Sequence, residues 1–190
     1  YAWLKAISEI TNKRIILTHD EYVNHIDGKS RNVGLKSYLD YKEYKFNEEL
    51  LGLTLIAKDK YFKKKIEQDG VDIYEDTFAL LKKLRNKNRL VGLATSSKNG
   101  LLVLKIAGIV NIFNVIVDGN TIVKYKLKSK PSPDIFNVCA RKLKCNIINA
   151  YIFEDSKAGI MGASKTKSNK VVGVNRNNID NSIMKSWGAN

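Results

Sequence analysis

The apolar periodicity of this chain changes near residue 70, and that change restricts the fold more than any other feature. Up to about residue 68 the apolar residues recur at helical spacing: Trp3, Ile7 and Ile10, then Tyr22, Val23 and Ile26, then Leu50, Leu51, Leu53 and Ile56. No convincing buried strand interrupts them. Beyond that point, short apolar runs at residues 90–94, 115–117, 150–153 and 171–174 alternate with amphipathic segments near 76–87, 99–108, 133–144 and 157–166. Such alternation is the mark of βαβ units and a parallel sheet. The expected fold is therefore α/β, with a Rossmann-like parallel-sheet core over residues 69–190 and an all-helical cap over residues 1–68.

With 190 residues the chain can bury one substantial core and a small accessory domain without staples. Its two cysteines, Cys139 and Cys145, form no CxxC pair and stand beside no histidine cluster. That argues against a disulfide framework or a zinc site and fits a reducing cytoplasm. No apolar run approaches the length of about 18 residues that a membrane helix requires, and the first residues are amphipathic rather than signal-like. The net charge of +14 raises the question of nucleic acid. Its densest runs, residues 63–65 and 165–170, have no interleaved aromatics, so a solvated basic surface is the expectation and a nucleic-acid role is not. Such a surface can still steer small anions toward a cleft.

In an open α/β sheet, ligands bind beyond the carboxyl ends of the strands, so the polar residues after each apolar run are the candidates. Run 90–94 leads into Thr95-Ser96-Ser97-Lys98-Asn99, which sets hydroxyls, backbone N–H groups and one ammonium at a helix start, where an anion is favoured. An ordinary Ser/Thr helix cap would look the same. Lys130 lies in Ser129-Lys130-Pro131-Ser132-Pro133-Asp134, a stiff turn that would hold an ammonium in place, although a lone Lys before Pro also suits a surface. Run 150–153 ends in Glu154-Asp155-Ser156, and two carboxylates at a strand end suit Mg²⁺ or a helix cap.

These segments, in this order, resemble the second, third and fourth motifs of the haloacid dehalogenase superfamily: a hydroxyl residue after a strand, a Lys-Pro-x-Pro-Asp turn, and Glu-Asp-Ser-x-Ala-Gly-Ile. Two further segments, Gly28-Lys29-Ser30-Arg31 and Ser97-Lys98-Asn99-Gly100, resemble the β-phosphoglucomutase subfamily, which also places a cap lysine where Lys58 lies. The resemblance implies phosphoryl transfer on a small sugar phosphate through an aspartyl-phosphate. In that scheme Thr95 and Lys130 hold the transferring phosphoryl group, and Glu154 and Asp155 hold Mg²⁺. Arg31, Ser30, Lys58, Ser96, Ser97, Lys98 and Asn99 bind substrate, and a monomer is the expected state.

One departure from the pattern is large. No Asp-x-Asp-Gly follows an apolar strand, so the nucleophile and the acid/base aspartate are not in these 190 residues, and His19-Asp20 is no substitute. By resemblance, the absent segment also carries the first strand of the sheet, and the chain stops at a lead into a final one. A fragment of this kind is expected to be inactive alone. Two other functions stay open: a sugar-phosphate phosphatase of the same superfamily, and a non-catalytic remnant.

Overall fold

A computed structural model describes residues 1–176 and 178–190. Helix α1 (Ala2–Thr11) buries Trp3, Ala6 and Ile7 on one face and stops at Asn12, whose left-handed backbone cannot continue the helix. Short α2 (His19–Glu21) starts on a reciprocal cap between Thr18 and Glu21 and runs into a wide π turn over Tyr22–Ile26. Next come α3 (Arg31–Tyr41) and the long α4 (Glu48–Asp69), which starts on an Asn47 side-chain cap and stops at Gly70, with φ of +76°. Trp3, Ile7, Ile15, Ile26, Leu35, Tyr38, Leu39 and Leu51 form one apolar cluster across these helices.

The expected apolar face of α4 needs correction. Leu53 and Ile56 are exposed, while Leu51, Thr54, Ala57 and Ile66 are buried. Small residues three apart let α1 approach α4 closely, and periodicity that counts only large apolar residues mistakes which face that is.

The second half runs α5 (Glu75–Asn86), β1 (Gly92–Ala94), α6 (Gly100–Ile106), β2 (Val115–Val117), α7 (Gly119–Lys124), α8 (Asp134–Lys142), β3 (Tyr151–Glu154), α9 (Lys157–Ser164), β4 (Lys170–Gly173) and α10 (Asn181–Ser186). The run expected at 90–94 yields a strand only from Gly92. Leu90 is exposed, and Val91 is held by the Asn114 side chain and main chain rather than by the ladder. Helix α7 did not show in the periodicity; it is short and starts on an Asp118 cap that also bonds Thr121.

All strand pairing is parallel, as helical crossovers require. Gly92 to Ala94 pair with Val115 to Val117, and Tyr151 to Glu154 pair with Lys170 to Gly173. Among the described residues these two pairs share no ladder, so β1 and β3 each bond a strand on one side only. A second apolar cluster, including Val117, Ile135, Ile152, Ile160, Val171 and Met184, packs α8, α9 and α10 against the strands. The molecule is thus an α/β core of parallel strands carrying an all-helical cap.

Candidate functional site

Lys130 is among the most buried polar residues of the chain. Its turn, with a cis Lys130–Pro131 peptide, lies between α7 and α8 and directs Nζ to Glu154 Oε2 at 2.7 Å. The other oxygen of Glu154 accepts from the Ser156 hydroxyl at 2.8 Å and the Ser156 N–H at 3.2 Å. Burial works against a charge on Glu154, but the Lys130 ammonium and the Ser156 donors outweigh it and hold the carboxyl below the usual carboxylate range. Ser156 also caps α9 through Gly159 N–H, so the acidic pair is built into a helix start.

Asp155 behaves in the opposite way. The residue opens to solvent on one side. Partial enclosure of its carboxyl, followed by the negative charges of Glu154 and Asp27, pushes it up to about 6. Asp27, at the end of the π turn, is itself raised by burial and by Glu154. Three carboxylates therefore converge where one buried lysine already serves Glu154. Carboxylate oxygens are the ligands a hard divalent cation takes, one or two of them sufficing for Mg²⁺ alongside water and substrate oxygens. Asp155 is the carboxylate in need of positive charge, while Glu154 retains acceptor capacity only on Oε2. Among the described residues, no group of three or more His, Cys, Asp and Glu side chains stands in metal-ligating geometry.

The Thr95–Asn99 segment after β1 is fixed largely by its own bonds. Thr95 Oγ1 accepts from Ser97 N–H at 3.2 Å, and Ser97 Oγ accepts from Asn99 N–H at 3.1 Å. Gly119 N–H and the Asn120 amide donate to the carbonyls of Ser97 and Lys98, each at 2.9 Å. A Cβ on Gly119 would lie 2.6 Å from Ser96 O, so only glycine lets α7 approach this loop. Lys98 is exposed.

Cap and core meet through named bonds. Ser96 Oγ donates to Gly28 O at 2.9 Å, Ser30 N–H donates to Ser129 Oγ at 2.8 Å, and the Asn99 amide donates to Asp59 Oδ1 at 2.8 Å. Gly28, with φ of +70°, stands so close to Ser156 that a Cβ would lie 2.2 Å from its hydroxyl. Arg31 reaches the same Asp59 oxygen at 3.1 Å. Lys58 lies over the rings of Trp3 and Phe62 and lines a cleft of about 490 Å³ with them and Tyr22. Burial, and then the Arg31 charge, bring its ammonium down to about 8.

Two groups of expected site residues are thereby brought together: Lys130 with Glu154 and Asp155, and Arg31 with Lys58 and Asn99. The hydroxyl of Ser96 and the main chain of Ser30 serve instead to dock the cap. Asp27 and Asp59 were not picked out by motif reading, and Ser156 stood in the fourth motif without a role of its own. Asp59 is followed four residues later by Lys63, which reads as an ordinary solvated helix pair.

A family model described as haloacid dehalogenase-like hydrolase matches residues 2–174. A β-phosphoglucomutase of Bacillus subtilis (strain 168) is 39% identical over 95 residues, 50% of this chain and 40% of that protein. Another, of Mycobacterium bovis, is 26% identical over 166 residues, 82% of this chain and 63% of that protein. The chain thus spans less than two thirds of the length of either relative. The crystal structure of a β-phosphoglucomutase from Clostridium difficile superposes with a TM-score of 0.78 at 26% identity, over 98% of this chain and 87% of that one. With the motif order and the cap on a parallel core, these matches establish that the chain belongs to the haloacid dehalogenase-like hydrolase family.

Proposed function

We propose that this chain binds phosphorylated sugars for phosphoryl transfer, as a β-phosphoglucomutase-like phosphotransferase, with residues 1–68 as the cap and 69–190 as the core. The observation that carries this reading is the Lys130–Glu154 pair beside Asp155, in a core on which Gly28 and Ser30 dock a cap that also carries Arg31 and Lys58. The likeness to β-phosphoglucomutases supports the subfamily.

The core holds the transferring phosphoryl group through Thr95 and Lys130, while Ser97, Lys98, Asn99, Arg31 and Lys58 take the rest of the substrate. Asp155, with Glu154, would hold Mg²⁺, which when bound supplies positive charge against the phosphoryl oxygens. Lys130 keeps Glu154 ionised and can share its remaining hydrogens with a phosphoryl oxygen. Gly28 and Ser96 close the cap and exclude water. No Asp-x-Asp stands among the 190 residues, so the reading concerns what this chain binds and positions.

Calorimetric titration of the chain with glucose 1-phosphate, glucose 1,6-bisphosphate and glucose, with and without Mg²⁺, tests it. The reading expects phosphate-dependent, Mg²⁺-enhanced binding that Lys130→Ala abolishes; glucose binding as well as its phosphates would overturn it. Two phosphate subsites also require that the bisphosphate bind more tightly than the monophosphate. Equal affinities would favour the phosphatase alternative, which needs only the core subsite.

A further inference from the structure

Asp59 stands one residue beyond Lys58 on α4 and is engaged on both oxygens. Oδ1 is ion-paired with Arg31 Nη2 at 3.1 Å and accepts from the Asn99 amide at 2.8 Å, and Oδ2 is ion-paired with Lys63 Nζ at 2.8 Å. The three partners come from three places: the first residue of α3, the core loop ahead of α6, and the next turn of α4. Asn99 is 6% exposed, and the Arg31 and Asp59 side chains are 16% and 23% exposed. Arg31 spends a single nitrogen on this contact, which leaves most of its five-donor fork for another anion. Arg31, Lys58 and Lys63 less Asp59 leave a local excess of two positive charges, which a phosphate dianion would balance.

Building on the phosphate-binding role proposed for this part of the cap, we propose that Asp59 is a positioning residue, which holds Arg31 near Lys58 and couples that placement to the docking of α4 on the Asn99 loop. Arg31 and Lys58 repel each other, and a guanidinium without its carboxylate would swing toward water. The shared Oδ1 links the two contacts, so the carboxylate that holds Arg31 is also the one that docks the cap on Asn99. A carboxylate can instead occupy a phosphate's place and be displaced by it. Lys63 argues for positioning, because it anchors Oδ2 from within the same helix.

The two roles predict opposite effects of Asp59→Asn, which keeps the shape and an acceptor for Asn99 but loses the charge. Inorganic phosphate is titrated into the 190-residue chain, its Asp59→Asn and Arg31→Ala variants, and the double variant. Positioning predicts that Asp59→Asn weakens phosphate binding by about tenfold. It also predicts that the double variant binds no more weakly than Arg31→Ala, because the two losses are one loss. Hydrogen exchange at Asn99 and Gly100 should rise in Asp59→Ala and stay near the unaltered rate in Asp59→Asn. Unchanged or tighter phosphate binding by Asp59→Asn, or additive losses in the double variant, would overturn the positioning role and leave the functional reading intact. An unaltered chain that binds no phosphate would overturn both.

Discussion

Lys130 Nζ donates to Glu154 Oε2 at 2.7 Å, with the two side chains only 5% and 10% exposed. Removing one member of such a pair leaves the other charge buried and unpaired, which costs more than the pair itself contributes. Lys130→Met should therefore lower stability by about 3 kcal/mol, and adding Glu154→Gln should recover part of that loss. Urea unfolding of the single and double variants measures both. A Lys130→Met variant as stable as the parent would show that water or another donor reaches Glu154.

Gly28 brings the cap backbone close against the core. A Cβ on Gly28 would meet the Ser156 hydroxyl at 2.2 Å, and the residue's φ of +70° disfavours any side chain. Gly28→Ala should destabilise the chain by about 1–3 kcal/mol and loosen the cap, because the clash falls on a buried serine that cannot yield without releasing Glu154. Limited proteolysis near residues 24–30 would report the loosening. An unchanged digestion pattern would mean that the cap does not depend on this contact.

Much of this was legible in the sequence, for identifiable reasons. The α/β alternation beyond residue 70 could be read because parallel strands buried between helices are short apolar runs, and the Lys130 and Glu154 motifs could be read because their residue types are fixed by chemistry. Helix α4 misled because its buried face is built on Thr54 and Ala57, with Leu53 and Ile56 left in water. Asp59 and Asp27 escaped because their significance lies in contacts with Asn99 and Glu154, 40 and more than 100 residues away in the chain. Spacing along one helix does not reveal such partners.

Asp155 carries the prediction about metal. Enclosure and the charges of Glu154 and Asp27 destabilise its ionised form. Mg²⁺ should accordingly raise the melting temperature of the unaltered chain by mass action, and EDTA should reverse the rise. Asp155→Asn removes one of the three converging carboxylates, so it should melt at or above the parent's temperature without metal and gain nothing from Mg²⁺. An equal Mg²⁺-dependent gain in both proteins would remove Asp155 from the metal site.

Lys58 offers a test in which stability and binding move in opposite directions with pH. An unfolded lysine keeps its proton to about pH 10.5, whereas burial and the Arg31 charge bring folded Lys58 down to about 8. Between those values the unfolded chain holds the extra proton, so this residue's contribution to stability is least favourable below about pH 8 and improves as pH rises. Phosphate binding has the reverse dependence, because only the ammonium attracts the anion and it is lost as pH climbs through about 8. Affinity for inorganic phosphate should therefore fall as pH rises through that value, in a range where phosphate itself is already the dianion. Lys58→Arg, whose guanidinium stays charged throughout, should flatten the fall while keeping the binding. If the same decline persisted in Lys58→Arg, the titrating group would be another residue, and Lys58 would be a packing lysine between Trp3 and Phe62 rather than a ligand of the phosphate.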